Sequence, residues 1–263
     1  MKSLDAPAKI NLALVVGPPR ADGKHEVATV LQRVDLADRI SLEPGSALQI
    51  SGFPEDTLVR DALRAVAGVV DEEPNWSVRI EKRIPVAAGL GGGSSDAAAA
   101  LRLANEMLET PLSAEHLHDV AAELGADVPF FLTKGPQLGT GDGTTLAPIE
   151  LPRDFAVVLL LPNGATKSST ADVYAAFTGA DGFEDRRARV LGAVEARDLT
   201  ALPPNDLASS PFAEKLLDAG AFRADVSGAG PTVYGLFADP ERAADALEQF
   251  ADGCATWLAE PAW

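Results

Sequence analysis

This chain is short of cysteine, histidine and positive charge, and each shortage removes a class of function. The single cysteine, Cys254, excludes an intrachain disulfide and reads as a quiet core or strand residue. The only histidines are His25, His116 and His118. His116 and His118 stand two apart, so they diverge on a helix and make a poor metal pair. No zinc-ligand spacing occurs, and no metal ligand is assigned. Lys and Arg total 22 against 39 Asp and Glu, a net charge of −17. Such a balance repels nucleic-acid backbones and anionic membrane surfaces, so neither is expected as a partner. Long hydrophobic runs are missing as well. The longest purely aliphatic stretch, Ala156 to Leu161, is far too short to span a bilayer, and Met1 to Pro7 has no apolar signal core. A soluble, cytoplasmic protein is expected. Three nucleotide signatures also fail. There is no G-x-x-x-x-G-K-[ST], Ser94 stands where G-x-G-x-x-G needs its last glycine, and neither H-R-D nor D-F-G occurs.

What is present centres on Pro85-Val86-Ala87-Ala88-Gly89-Leu90-Gly91-Gly92-Gly93-Ser94-Ser95-Asp96, followed by four alanines. The glycines let backbone bend and approach a ligand closely. Ser94, Ser95 and Asp96 are residue types that start helices, and Ala97 to Met107 reads as a buried helix. A glycine loop feeding a helix N-terminus is a phosphate cradle, because N–H groups and the helix dipole both favour an anion. The plainer alternative is a flexible turn before a core helix.

With 263 residues, 46% of them hydrophobic, the chain permits one large domain or two modest ones. Ala8 to Val16 alternates as a strand, with Ile10, Leu12, Leu14 and Val16 on one face and Lys9, Asn11 and Ala13 on the other. Strands are also expected at 27–34, 39–43, 76–82, 155–161, 222–226, 232–237 and 254–258. Helices are expected at 56–70, 113–124, 127–132, 168–177, 185–196, 211–219 and 241–250. Gly139 to Gly143 reads as a hairpin. The mixture indicates α+β rather than a regular βαβ series, with a boundary near 148–154. From the residues alone, Asp127 reads as a helix cap, Lys9 as a solvated strand lysine and Asn11 as a capping amide.

Several motifs in order change that reading. They are Ala6-Pro7-Ala8-Lys9-Ile10-Asn11-Leu12, Ala21-Asp22-Gly23-Lys24-His25, Lys82-Arg83-Ile84-Pro85 leading into the glycine loop, Gly125-Ala126-Asp127-Val128-Pro129-Phe130-Phe131, Asn205-Asp206-Leu207, and Ser227-Gly228-Ala229-Gly230-Pro231-Thr232. Together they resemble the GHMP family of small-molecule kinases over nearly the whole chain. The resemblance implies a two-domain α+β fold, with a ribosomal protein S5 domain 2-like half over 1–150 and a ferredoxin-like half over 151–263. It implies transfer of phosphate from ATP, with Mg²⁺, to a hydroxyl of a small phosphorylated sugar alcohol, cytidylated in the branch this chain resembles most.

By the same resemblance, Lys9 and Asp127 are the catalytic residues. Asp127 would take the hydroxyl proton, and Lys9 would keep Asp127 ionised and stabilise charge on the transferring group. The nucleotide phosphates fall to Pro85, Val86, Ala87, Ala88, Gly89, Leu90, Gly91, Gly92, Gly93, Ser94 and Ser95, with Ser95 contacting phosphate or Mg²⁺. The acceptor falls to Asn11, Lys24, His25, Thr170, Tyr174, Gly228 and Gly230. One position departs from the pattern: Lys24 stands where the cytidine-binding branch has a tyrosine that stacks on the base. Two alternatives therefore stay open beside the first reading. They are a kinase of another small alcohol, and a nucleotide-binding protein without catalysis. Oligomeric state is not legible.

Overall fold

Two long strands open the chain, β1 (Lys2–Pro19) and β2 (His25–Pro44), paired across the 20–24 turn. The structure, a computed structural model, describes residues 1–165 and 170–263. β1 extends well beyond the expected 8–16, and both its faces are buried from Ala8 to Gly17. The expected strands at 27–34 and 39–43 are one continuous strand. The polar stretch between them, including Asp35 and Asp38, does not break it, because backbone pairing and not side-chain alternation sets strand continuity.

The chain divides into two compact units. One comprises Met1–Ala8, Leu36–Val86 and Gly91–Lys134; the other comprises Lys9–Asp35, Ala87–Leu90 and Gly135–Trp263. In the first, the Arg39–Pro44 part of β2 pairs antiparallel with β4 (Trp76–Glu81), which pairs parallel with β3 (Gln49–Ser51). Four helices complete it: α1 (Thr57–Val69), α2 (Gly92–Asn105), α3 (Ala114–Leu124) and α4 (Val128–Leu132). Asp56 caps α1 by accepting from the Val59 N–H, and Ser113 caps α3 by accepting from the His116 N–H. Val59, Leu63 and Val66 form the buried stripe of α1, and α1 packs on α2. The alanines of α2 let that packing be close.

In the second unit, the Val27–Leu31 part of β2 pairs with β5 (Gln137–Gly141), and β5 forms the expected hairpin with β6 (Thr145–Pro148). A separate antiparallel sheet contains β7 (Ala156–Pro162), β8 (Arg223–Val226), β9 (Val233–Phe237) and β10 (Cys254–Ala259), in the order β10-β7-β9-β8. With α5 (Thr170–Ala175), α6 (Phe183–Ala196) and α7 (Pro211–Asp218) between β7 and β8, and α8 (Pro240–Phe250) between β9 and β10, this is the βαββαβ, 4-1-3-2 arrangement of ferredoxin-like domains. Its core includes Val158, Leu160, Leu216, Phe237, Ala246, Phe250 and Cys254, so the lone cysteine is a core residue as expected. A short last strand, β11 (Pro261–Ala262), returns to pair with Arg33 and Val34. The expected helix at 168–177 begins outside the described residues, and its described part is α5. No helix among the described residues is long and apolar enough to cross a membrane.

Candidate functional site

The glycine segment belongs to both units in turn: Pro85 and Val86 to the first, Ala87–Leu90 to the second, and Gly91 onward to the first again. Helix α2 starts at Gly92, earlier than the serines suggest. Gly91 occupies its cap position, and among the described residues no side chain caps the helix. Ser94, Ser95 and Asp96 therefore lie inside the first turns rather than before them. An α-helix cannot satisfy its own first N–H groups, and Gly91 has no side chain to cap them, which leaves a place for an anion. The Ser95 hydroxyl is buried and has no hydrogen-bond partner among the described residues. A buried hydroxyl beside an uncapped helix start fits a phosphate oxygen.

Three charged side chains hold this helix start, and one of them, Asp38, lies outside every motif. Lys82 Nζ lies 2.6 Å from Asp38 Oδ2 and 2.8 Å from Asp96 Oδ2. The other oxygen of Asp38 accepts the Arg83 and Ile84 N–H groups at 2.5 and 2.8 Å. Asp38 thus ties the end of β4 to β2, and Lys82 ties both to α2. The signal available in sequence was a charged residue, Asp38, inside a strand with Ile40 and Leu42 buried on it.

Burial, with Asp38 beside it, pushes the Asp96 carboxyl up to about 8, against the pull of Lys82. Burial draws Lys82 down, but Asp96 and Asp38 outweigh it and leave its pKa raised. An acid with a raised folded-state pKa stabilises fully below its unfolded value, near 4, and loses that contribution as pH rises through 8. Asp96→Asn removes this titration. The stability of the variant relative to wild type should improve by on the order of 3 kcal/mol between pH 5.5 and 8.5. Urea midpoints across that range check it; parallel curves for the two proteins would refute it.

Asp127 occupies the position before α4, but its carboxylate makes no capping hydrogen bond. The capping role suggested by spacing is thus not the one it has. Val128, Pro129, Phe130 and Phe131 are buried, and α4 packs on α2 and α3, so the carboxylate is carried on a firmly seated turn.

The second unit gathers a different set. Lys9 is only 3% exposed and Asn11 only 4%, so Lys9 is not a solvated strand lysine. Lys9 Nζ donates to Asn11 Oδ1 at 2.5 Å, and the Lys9 N–H donates to the Leu90 carbonyl at 2.9 Å. The 227–230 loop joins β8 to β9 and closes over the same place. Ser227 Oγ donates to the Gly89 carbonyl at 3.0 Å, and the Thr232 N–H donates to the Ala88 carbonyl at 3.1 Å. Gly89 has φ +83°, and a Cβ there would lie 2.5 Å from the Ser227 carbonyl oxygen. Gly228 has φ +58°, and its Cβ would lie 3.3 Å from both Lys9 Nζ and Asn11 Oδ1. Neither position accepts a side chain without moving the other strand or the lysine.

Asn205 and Arg223 support this cluster. Asn205 Nδ2 donates to the Val226 and Gly228 carbonyls at 2.9 and 2.7 Å, which fixes the loop. Asp206 Oδ2 accepts the Val16 N–H and Arg186 Nε. Arg223 Nη2 donates to the Leu12 carbonyl at 2.6 Å, beside Asn11, and Tyr234 donates to the same oxygen at 3.1 Å. Burial pushes the Tyr234 hydroxyl up to about 12, so it stays a donor.

The acceptor residues of the second unit separate into two groups. Gly228 and Gly230 lie in the loop just described. Lys24, His25 and Tyr174 lie elsewhere, around the β1–β2 turn. Lys24 Nζ is 2.5 Å from Asp142 Oδ2 on the β5–β6 hairpin. Burial of Asp142 acts upward, but hydrogen bonds from Lys24 and Thr144 hold its carboxyl down to about 2. The His25 Nδ1 lies 2.8 Å from the Gly17 carbonyl, which can only accept, so Nδ1 carries the proton. The His25 ring is 5.9 Å from Tyr174 and 6.0 Å from Phe177. Tyr174 and Phe177 also pack on Leu14, Val16 and Val27, so the helix-packing reading of Tyr174 holds as well. Thr170 is the exposed first residue of α5.

Comparison with known proteins follows the same lines. Residues 57–135 match the family profile described as GHMP kinases N terminal domain, and 209–256 match GHMP kinases C terminal. A 4-diphosphocytidyl-2-C-methyl-D-erythritol kinase of Pelotomaculum thermopropionicum is 39% identical, with 90% of each chain covered. One of Syntrophotalea carbinolica is 38% identical, with 99% of each covered. A crystal structure of 4-(cytidine 5'-diphospho)-2C-methyl-D-erythritol kinase superposes with a TM-score of 0.83 at 31% identity, covering 100% of both chains. A mevalonate kinase structure, 12% identical with a TM-score of 0.74, shares the fold.

Proposed function

This chain belongs to the 4-diphosphocytidyl-2-C-methyl-D-erythritol kinases within the GHMP kinases, and on that premise we propose that it transfers the γ-phosphoryl group of ATP to a hydroxyl of that cytidylated alcohol, a step of non-mevalonate isoprenoid precursor synthesis. The observation that carries the reading is the buried Lys9 ammonium, set against Asn11 and the Gly228 turn, where a Cβ would crowd both at 3.3 Å. A lysine kept dry in this way acts more strongly on a transferring phosphoryl group than a solvated one. The uncapped start of α2 and the unpartnered Ser95 hydroxyl support phosphate binding by the 85–95 segment. Asp127 accepts the proton of the attacking hydroxyl. Phosphoryl transfer asks little covalent work of a protein, so placing these groups is most of the chemistry.

Among the described residues, no three His, Cys, Asp or Glu side chains gather as a metal cage. Mg²⁺ in such a reaction would be carried largely by phosphate oxygens and water, with few protein ligands. When bound, it neutralises charge on the phosphates. His25, Tyr174 and Phe177 offer the cytidine an aromatic surface, and Lys24 contributes through Asp142 instead of replacing a ring. The division at 1–150 and 151–263 is part of this reading, supported by one family match on either side of it.

Purified protein with Mg-ATP and a panel of alcohols, read by coupled ADP release, tests the proposal. Turnover is expected with the diphosphocytidyl-methylerythritol and not with mevalonate or homoserine. Turnover only with an uncytidylated alcohol would favour the second kinase reading. ATP binding without turnover of any alcohol would favour a silent nucleotide-binding protein.

A further inference from the structure

Thr29 lies on β2, outside every motif, and is 4% exposed. Its hydroxyl donates to the Ala13 carbonyl at 2.8 Å, an oxygen that can only accept. A hydroxyl has one proton, so toward any other partner Thr29 Oγ1 must act as acceptor. The other partner is Asn11, at 2.8 Å. The Asn11 face toward Thr29 is therefore its NH₂, and the face toward Lys9 Nζ is its carbonyl oxygen. The opposite flip would place an NH₂ against an ammonium and leave two acceptors facing each other at Thr29.

We propose that Thr29 is a positioning residue of the transfer site: through its committed hydroxyl it sets the orientation of the Asn11 amide, and through Asn11 it holds the Lys9 ammonium in place. The chain of direction runs from the Ala13 carbonyl to Thr29, to Asn11, to Lys9, and every side chain in it is buried. In water an amide turns freely between its two flips. In this dry cluster only one flip satisfies both neighbours. The inference rests on the reading that Lys9 serves phosphoryl transfer, and its test separates the two.

Thr29→Val keeps the shape and removes the acceptor; Thr29→Ser keeps the hydroxyl. The valine variant should lose about 10- to 100-fold in kcat with little change in KM for ATP, and the serine variant should recover most of the loss. Thr29→Ala replaces the valine variant if that does not fold. Asn11→Ala removes the amide, and adding Thr29→Val to it should lower kcat no further. Losses that multiply independently, or a serine variant as poor as valine, would overturn the proposal. The Asn11 side-chain amide signals, read by NMR without substrate, should exchange slowly in wild type and Thr29→Ser and quickly in Thr29→Val. Equal exchange in all three overturns it as well. Expected exchange rates combined with no kinase turnover in wild type would leave the hydrogen-bond chain standing and remove the function assigned to Lys9.

Discussion

Asp127→Asn should lower kcat by about a thousandfold while the protein melts within a few degrees of wild type and binds ATP nearly as well. The structure makes this separation possible. A carboxylate at a helix start ordinarily stabilises by capping, and its loss then costs stability and activity together. Here the carboxylate makes no capping bond, and α4 is held by its own buried Val128, Pro129, Phe130 and Phe131. Asparagine keeps the shape and the dipole but cannot take a proton. Steady-state ADP release and thermal melting on the same samples check both halves. A variant within tenfold of wild-type kcat would take Asp127 out of the proton-transfer role. A large fall in melting temperature would return it to a structural one.

The largest stability loss should come from Arg223→Met. The guanidinium reaches four carbonyls, those of Leu12, Leu199, Leu202 and Pro203, at 2.6 to 3.2 Å, and its Nε reaches the Tyr234 hydroxyl. Methionine fills much of the volume but supplies no donor. Buried acceptors then lose their partners, and Asp225, already pushed up by burial, loses the cation 3.7 Å away. Breaking such a buried array costs about 3–5 kcal/mol. For a chain of this size that is a fall of roughly 10 °C in melting temperature. Arg223→Lys should recover only part, because one ammonium cannot reproduce the planar fork. Differential scanning calorimetry decides it. A methionine variant within about 2 °C of wild type would mean that the carbonyls find other partners.

The elements that were legible in sequence are those whose signal is local. Asp56 and Ser113 stand at the starts of expected helices beside apolar stripes, and both cap them. The hairpin expected at 139–143 forms between β5 and β6, with Asp142 accepting from Thr144 in its turn. Local reasoning fails where two distant segments settle a residue's environment. The strand face carrying Lys9 and Asn11 reads as polar and outward. It is buried because the 227–230 loop and residues 88–90 cover it, from more than 70 residues away. Asp38 reads as part of a break between strands, and its two hydrogen-bonded N–H groups lie more than 40 residues downstream.

The glycine segment and the other ordered motifs were enough to select the family, because motif residues keep their order and spacing whatever the packing. Sequence alone also named the residues that the proposed chemistry would use. Only the tertiary structure decided what state those residues are in. It dried Lys9, left the Asp127 carboxylate out of the helix cap, and paired Lys24 with Asp142. It also aligned the Asn11 amide through a threonine that no motif contains. Charge state, hydrogen-bond direction and burial are properties of neighbours, and the neighbours are chosen by the fold.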